Sequence, residues 1–492
     1  MSNFVPAASA ALPNETFDVI VIGAGQGAAL ARMLGEDGQR VALIEREAVG
    51  GTCVNRGCTP TKAHIAAAKR YHDAGNAGFL GITAEKLRFN LATVAKRSQG
   101  IVDDFRAGNL KRLEETPGLE LIMGNARFTG ARSVEVATFK VRPGDGPIRH
   151  LEAKQIVIAT GARTRVPALE GLREVNYLDN RSALQLREVP ESLIILGGGY
   201  VACEFAQMFS RFGSQITVVQ SAPQLLDHED EDVACALRSI FEDEGIRVHT
   251  GAHAKTVRIT KDPAAPGVEL ALANGKILSA THLMVSVGRQ PNTGDLNLEA
   301  AGIKPDGHGY IPCDDYLEAA PGIFVLGDAK PGPAFTHVAY DDARILAARI
   351  CHGQKRSLRD RVVPYTVFTD PQLGRVGLSE REAHAAGHDF RVAKLEMSET
   401  ARGLETGEDR GFLKALVEAE SGKILGAACL ARDGGEVMAV IQVAMMSHMP
   451  YSALRDGMFA HPTLAESLNN LFLAMDRDEQ AASKSFCVAP AV

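Results

Sequence analysis

The chain has 492 residues, 45% of them hydrophobic and 23% charged, enough to bury several cores and ordinary for a globular protein. A formal net charge of −7 and an isoelectric point near 6.1 argue against nucleic acid as a partner, whose phosphates demand a basic face. No apolar run is long enough to span a bilayer, and the opening "MSNFVPAASAALPNETFD" lacks a basic leader, so no membrane partner is expected and a cytoplasmic location is.

In chain order, residues 1–16 read as a flexible tail. "FDVIVIGAGQGAALARMLGEDGQRVALIER" (17–46) then reads as strand, glycine turn, helix, strand. The runs 19–22 and 41–44 are short, apolar and β-branched, as buried parallel strands are. Gly23 and Gly25 make the turn, with Ala28 at the third small position. Such glycines let backbone N–H groups close on a pyrophosphate at a helix N-terminus, where the dipole favours negative charge. Glu45, ending the second strand, can accept from ribose hydroxyls. "SLIILGGGYVACEFAQMFSRFGSQITVVQ" (192–220) repeats this grammar through Gly197, Gly199 and Ala202. Its second strand ends in Gln220, where an acid would favour NAD and a nearby arginine NADP, so the choice of nicotinamide stays open. Two copies of one unit predict two dinucleotide sites.

Between and beyond them, 154–167, 282–293 and 322–332 read as apolar strands ending in glycine turns. From Tyr365 the texture changes to alternating strand-like runs followed by helices. A last helix is predicted over 461–476, with Leu464, Leu468, Leu471, Phe472 and Met475 on one stripe. This marks a third domain of a different kind.

Of eight cysteines, only Cys53 and Cys58, in "GGTCVNRGCTP", are close in sequence; the scattered ones read as small buried hydrophobes, with Cys487 in the tail less settled. Residues i and i+5 of a regular helix have Cα atoms about 8–9 Å apart, beyond the roughly 4.4–6.8 Å of a disulfide. A bridge here needs a distorted segment, which Gly50, Gly51 and Gly57 permit. So short a loop makes a poor staple. No second ligand pair completes a zinc site, although a metal clip or an inert pair stays an alternative. A working redox pair fits best.

These residues resemble the redox segment of the pyridine nucleotide-disulfide oxidoreductases, the family of dihydrolipoamide dehydrogenase, glutathione reductase and mercuric reductase. The resemblance runs through "GGTCVNRGCTPTK", "ATG" (159–161), "GGGYVACE" (197–204), "VGRQPN" (287–292), "GDA" (327–329) and "FAHPTLAE" (459–466), in order along nearly the whole chain. "PAFTHVAYDDARI" and "VFTDPQLGRVGLSE" are similar to bacterial mercuric-reductase-like flavoproteins, including copper reductases tied to reactive-chlorine resistance.

The resemblance implies an α/β fold: two Rossmann-like dinucleotide-binding domains, for FAD and NAD(P), plus a C-terminal α+β dimerisation domain. FAD-binding segments are expected at 17–165 and 291–363, an NAD(P) domain at 166–290, a dimer-building domain at 364–480 and a tail at 481–492. FAD would contact Gly23, Gly25, Glu45, Gly51, Thr52, Cys53, Lys62, Thr160, Gly161, Gly327 and Asp328. Gly197, Gly199, Gln220, Gly288 and Arg289 would serve NAD(P)H. The implied chemistry is a relay in which nicotinamide reduces the flavin and the flavin opens a Cys53–Cys58 disulfide. Cys58 would become the thiolate facing the flavin, and Cys53 the thiol meeting the substrate. Lys62 and Glu204 would pair beside the flavin, since an unmatched buried charge is costly. His461, oriented by Glu466, would shuttle protons across a homodimer, since an imidazole ordinarily titrates at about 6.5.

The substrate would be a small disulfide or a soft metal ion, with no resident metal. Dihydrolipoamide dehydrogenase is the alternative within the family, and a flavin-bound redox sensor with a protein partner the alternative outside it. Arg56, where the family has a small or apolar residue, either lowers a thiol pKa or faces solvent.

Overall fold

The computed structural model describes residues 15–139, 145–260, 267–359 and 361–476. Most of the tail expected at 1–16, and all of that at 481–492 with Cys487, lie outside the described residues. The chain forms two compact units, Met1–Pro60 with Gln99–Arg163 and Arg289–Arg361, and Thr61–Ser98 with Thr164–Gly288 and Val362–Val492.

The first unit is built on a parallel sheet whose central strand, Glu15–Ile22, lies between Val41–Glu45 and Ile148–Ile158. Leu119–Gly130 and Ile323–Val325 extend it on either side, again in parallel. The far ends of Leu119–Gly130 and Ile148–Ile158 are joined by Ser133–Thr138 in antiparallel pairing. Successive side chains of a strand point to opposite faces, and both faces are covered here. Val19 and Val21 pack with Leu30 and Leu34 of the helix Gln26–Glu36 and with Leu346 of the helix Thr336–His352. Ile20 and Ile22 pack with Phe128, Val134 and Val136. This double burial is why the strand reads as a continuous apolar run. Each fully buried Ile or Leu contributes roughly 1.5–3 kcal/mol.

The second unit repeats the plan. Its four parallel strands run in the order His282–Val285, Ser192–Leu196, Gln215–Val219, Arg247–His249. Leu193 and Ile195 face one cluster, which the helix Tyr200–Phe212 joins through Ala202, Phe205 and Phe209; Ile194 and Leu196 face another. The same unit carries a five-stranded antiparallel sheet in the order Pro364–Val367, Gln372–Gly377, Ile424–Ala431, Phe412–Glu418, Phe390–Glu396. The helices Gly434–Met446 and Ser467–Leu473 pack onto it. The architecture is the expected α/β class, two strand–turn–helix modules with a C-terminal α+β layer. Among the described residues, no helix is long and apolar enough to cross a membrane.

One expectation is corrected. The last helix spans only Ser467–Leu473, followed by a 3-10 turn, Ala474–Asp476, rather than all of 461–476. A residue before proline is steered away from helical angles, which keeps His461 out. Thr463 and Glu466 spend their polar groups on local bonds instead: Thr463 Oγ1 donates to the Ala460 carbonyl and accepts from Glu466 N. The stripe itself persists, with Leu468, Leu471, Phe472 and Met475 buried.

Candidate active site

In the first unit, the short helix Gly51–Arg56 carries Thr52 and Cys53 and stops at Gly57, and Cys58 opens the helix Cys58–Asn76. A side chain at 57 would put its Cβ 2.9 Å from the Thr52 carbonyl oxygen and 3.2 Å from the Cys53 Cα. Only glycine allows that approach. The break brings the Cys53 and Cys58 thiols within hydrogen-bonding reach of each other. Thr336, first residue of the helix Thr336–His352, lies over both, its Oγ1 3.4 Å from Cys58 Sγ. The hydrogen bond to Cys58, reinforced by burial, pushes the Cys53 thiol well above its ordinary range.

The loop is braced from inside. Asn55 Nδ2 donates to the carbonyls of Val49 and Gly51 at 3.1 and 2.9 Å, while its Oδ1 accepts from Arg106 Nε and Nη2 at 3.0 and 2.8 Å. Arg56 forms an ion pair with Glu47. Elsewhere, Cys203 and Cys429 are buried and Cys313 and Cys351 half-buried. Burial pushes these thiols up, to about 11 at Cys313 and about 12 at Cys351 and Cys429.

The first glycine turn sits beside this loop in the same unit. Gly23 has φ +108°, and a Cβ there would meet the Ala159 carbonyl oxygen at 2.4 Å. A Cβ on Gly51 would meet the Gly25 Cα at 2.7 Å, so turn and cysteine loop touch backbone to backbone. The helix Gln26–Glu36 begins at Gly25 with no side-chain cap, leaving its first N–H groups for a ligand. Glu45 is buried, and each of its oxygens already accepts one backbone N–H, from Ala24 and Glu47, both at 2.8 Å. Carboxylate oxygens carry further lone pairs, so ribose hydroxyls can still be accepted. Thr160 Oγ1 is buried with no hydrogen-bond partner among the described residues, and Gly161 follows it at φ +62°. Gly327 N donates to buried Asp342 at 2.9 Å, and Asp328 is ion-paired with Arg289.

In the second unit, Lys62 Nζ donates to both oxygens of Glu204, at 2.9 and 2.7 Å. Phe368 closes over the pair: its N–H donates to Glu204 at 3.0 Å, and its ring faces the ammonium at 4.7 Å. The second glycine turn repeats the first. Gly197 has φ +112°, and the helix Tyr200–Phe212 starts uncapped at Gly199. Gln220 is buried and its Oε1 accepts from Gly198 N at 3.2 Å. It thus does for this turn what Glu45 does for the other. Gly288 (φ +106°) accepts from Arg165 N at 2.9 Å. His461 Nδ1 lies 2.9 Å from Glu466. Because a carboxylate only accepts, Nδ1 carries the hydrogen and Nε2 of the neutral ring presents a lone pair.

Residues 17–343 match the family model for pyridine nucleotide-disulphide oxidoreductases, and residues 363–472 match the dimerisation domain of the same family. The chain belongs to the pyridine nucleotide-disulphide oxidoreductase family. The oxidoreductase is 34% identical to a mercuric reductase from Bacillus cereus, over 97% of this chain and 74% of that one. It is 35% identical to RclA from Escherichia coli, a probable pyridine nucleotide-disulfide oxidoreductase, over 93% and 98%. A dihydrolipoyl dehydrogenase from Halobacterium salinarum is 34% identical over 92% and 94%. A solved structure described as a Cu(II) complex of the HOCl-induced flavoprotein disulfide reductase RclA superimposes with a TM-score of 0.84 at 34% identity, covering 93% of this chain and 99% of that one.

The family is FAD-dependent, with NAD(P)H as electron donor, and its dimerisation domain supports a homodimer. The residues of this oxidoreductase fit FAD: an uncapped helix start for its pyrophosphate, glycines that leave room for it, and a buried Thr160 hydroxyl without a partner among the described residues. Thr336, Phe368, Asn55 and Arg106 were not among the residues expected from the sequence. Only Asn55, lying between the two cysteines, carried a local signal.

Proposed function

We propose that the enzyme passes reducing equivalents from NAD(P)H through Cys53 and Cys58 to a disulfide compound or a soft metal ion. The observation that carries this reading is the approach of the two thiols across the break at Gly57, under Thr336. Gly23, Gly25, Glu45, Gly51, Thr52, Thr160, Gly161, Gly327 and Asp328 would hold FAD, with Lys62 and Glu204 beside its reacting end. Gly197, Gly199, Gln220, Gly288 and Arg289 would serve the nicotinamide nucleotide. Bound FAD supplies the exchange of an electron pair between nicotinamide and the cysteines.

The protein's own residues handle the rest. Cys53 gives its hydrogen bond to Cys58 and its own thiol is pushed up, so Cys53 waits for a base; Cys58 takes the thiolate role that the family resemblance implies. His461, held by Glu466 with Nε2 outward, takes the Cys53 proton across the dimer two-fold. The Cys53 thiolate then attacks one substrate sulfur, and the leaving thiolate recovers the proton from His461. The Cys58 thiolate attacks Cys53, closes the Cys53–Cys58 bond and releases the second substrate sulfur as a thiolate, which takes its proton from water. Soft thiolates also suit soft metal ions, and the mercuric-reductase and RclA relatives favour that branch.

The His461–Glu466 hydrogen bond favours a second reading, dihydrolipoamide dehydrogenase, because thiol–disulfide exchange needs a shuttled proton. A redox sensor is favoured only by slow turnover with every acceptor and partner capture in one redox state. The test is a panel of lipoamide, glutathione disulfide, Hg²⁺ and Cu²⁺ with both nicotinamides, on the native enzyme and C53S. Turnover with one acceptor class, lost in C53S while NAD(P)H still bleaches the flavin, is expected. Full turnover in C53S would sink the relay.

A further inference from the structure

The first unit buries a carboxylate that none of these steps uses. Asp342, on the helix Thr336–His352, is 0% exposed. One of its oxygens accepts from Arg361 Nη2 at 2.8 Å. The other accepts from Gly327 N at 2.9 Å and lies 3.4 Å from Nζ of Lys330, itself buried. Taking such charges out of water is costly, and apolar side chains of similar volume often fill a core as well. Packing alone therefore does not account for the cluster.

The carboxylate holds a turn that has no cap of its own. Gly327–Ala329 is a 3-10 turn entered from Leu326, with no side-chain cap. Gly327 is buried, and a buried N–H needs an acceptor. Asp342 supplies one from 15 residues further along the chain. A Cβ on Gly327 would meet the Ala339 Cβ at 3.0 Å, so the turn also packs on the helix that carries Asp342. Residues three apart are neighbours on a helix surface, so Ala339 and Asp342 act on the turn from one face. Asp328 is the next residue of that turn.

We propose that Asp342 is a positioning residue for FAD: its carboxylate, matched by Lys330 and Arg361, fixes the turn that presents Asp328 to the cofactor. The inference rests on the reading that Gly327 and Asp328 hold FAD. A turn already fixed has little backbone freedom left to lose on binding, whereas a released turn must be ordered at the expense of affinity. One hydrogen bond to a charged group corresponds to about a tenfold change in an equilibrium constant.

The experiment measures the Kd of FAD, by serial dilution and ultrafiltration of the holoenzyme, and the visible circular dichroism of the bound flavin at saturating FAD. The proteins are native, K330M, D342A, K330M/D342A and D328A. K330M leaves Asp342 bonded to Gly327 and Arg361, so both readouts should stay native. D342A removes both accepting oxygens, so the Kd should rise about tenfold and the dichroism should change. Should D342A not fold, K330M/D342A carries the test. It leaves no lysine unmatched, methionine fills part of the vacated volume, and Arg361 keeps Asp341 at 3.1 Å. Its Kd should equal that of D342A. Native affinity in D342A or K330M/D342A while D328A loses FAD, or a loss in K330M as large as in D342A, would overturn the role of Asp342. FAD held as tightly by D328A as by the native protein would overturn the reading of the turn, and the proposal with it.

Discussion

Replacing Glu204 by Gln probes the Lys62–Glu204–Phe368 cluster with almost no change of shape. Glu204 accepts from Lys62 Nζ at 2.9 and 2.7 Å and from Phe368 N at 3.0 Å. An amide offers one accepting oxygen, and its NH₂ must then face an ammonium or an N–H. A charge-assisted hydrogen bond is worth about 1.5–3 kcal/mol, and severing a fully buried ion pair costs about 3–5. Glu204 is 6% exposed but Lys62 is 32% exposed, so water takes over part of the lysine's loss. The expected destabilisation is about 2–3 kcal/mol. Urea unfolding of the FAD-loaded protein, for the native chain, K62M, E204Q and the double variant, isolates the pair. The double variant removes the unmatched charge, so the coupling should come to about 2 kcal/mol. A coupling within about 0.5 kcal/mol of zero would refute the reasoning, since sites that do not interact simply add.

Further outcomes follow from the same geometry. G23A places a Cβ 2.4 Å from the Ala159 carbonyl at φ +108°, and Ala159 N is tied to Ile22 O at 2.8 Å and cannot retreat. Roughly 1–2 kcal/mol of left-handed strain plus 1–3 of overpacking should strip FAD on gel filtration; a native flavin-to-protein absorbance ratio would contradict this. Q220E keeps the acceptor for Gly198 N and adds the charge that Glu45 already carries at the matching place. Its ratio of kcat/KM for NADH over NADPH should rise about tenfold, and an unmoved ratio would detach Gln220 from the ribose. Burial pushes the Asp370 and Glu244 carboxyls up, but Arg211, with Lys69 at Asp370 and Arg410 at Glu244, outweighs it and holds both below the ordinary carboxylate range. Groups depressed in the folded state contribute stability above their unfolded pKa of about 4, and this is lost as pH falls through the folded values. R211M should therefore begin to lose thermal stability at a higher pH than the native protein, and an identical acid onset would count against the network.

The parts legible in the sequence are those whose contacts are local. Each glycine turn, with the acceptor that closes it, fits in a short stretch: Glu45 returns to Ala24 and Gln220 to Gly198. Strands buried on both faces announce themselves as unbroken apolar runs, so both modules could be placed. The break at Gly57 could be anticipated because a regular helix keeps Cys53 and Cys58 apart. By contrast, Thr336 meets Cys58 across 278 positions and Phe368 meets Glu204 across 164, and no periodicity encodes packing at that range. The overlong last helix has another origin. Its apolar stripe continues through Leu464, but the residues before Ser467 are held by His461, Thr463 and Glu466 bonding to one another and to nearby backbone.

The central claim is that Cys53 and Cys58 store an electron pair of their own beside the one that FAD takes. Anaerobic titration of the FAD-loaded enzyme with dithionite, followed by flavin absorbance, counts those pairs directly. The native protein should consume one electron pair per FAD more than C53S before the flavin is fully bleached. Equal consumption by the two proteins would mean that the cysteines hold no redox bond, and the relay would fall with it.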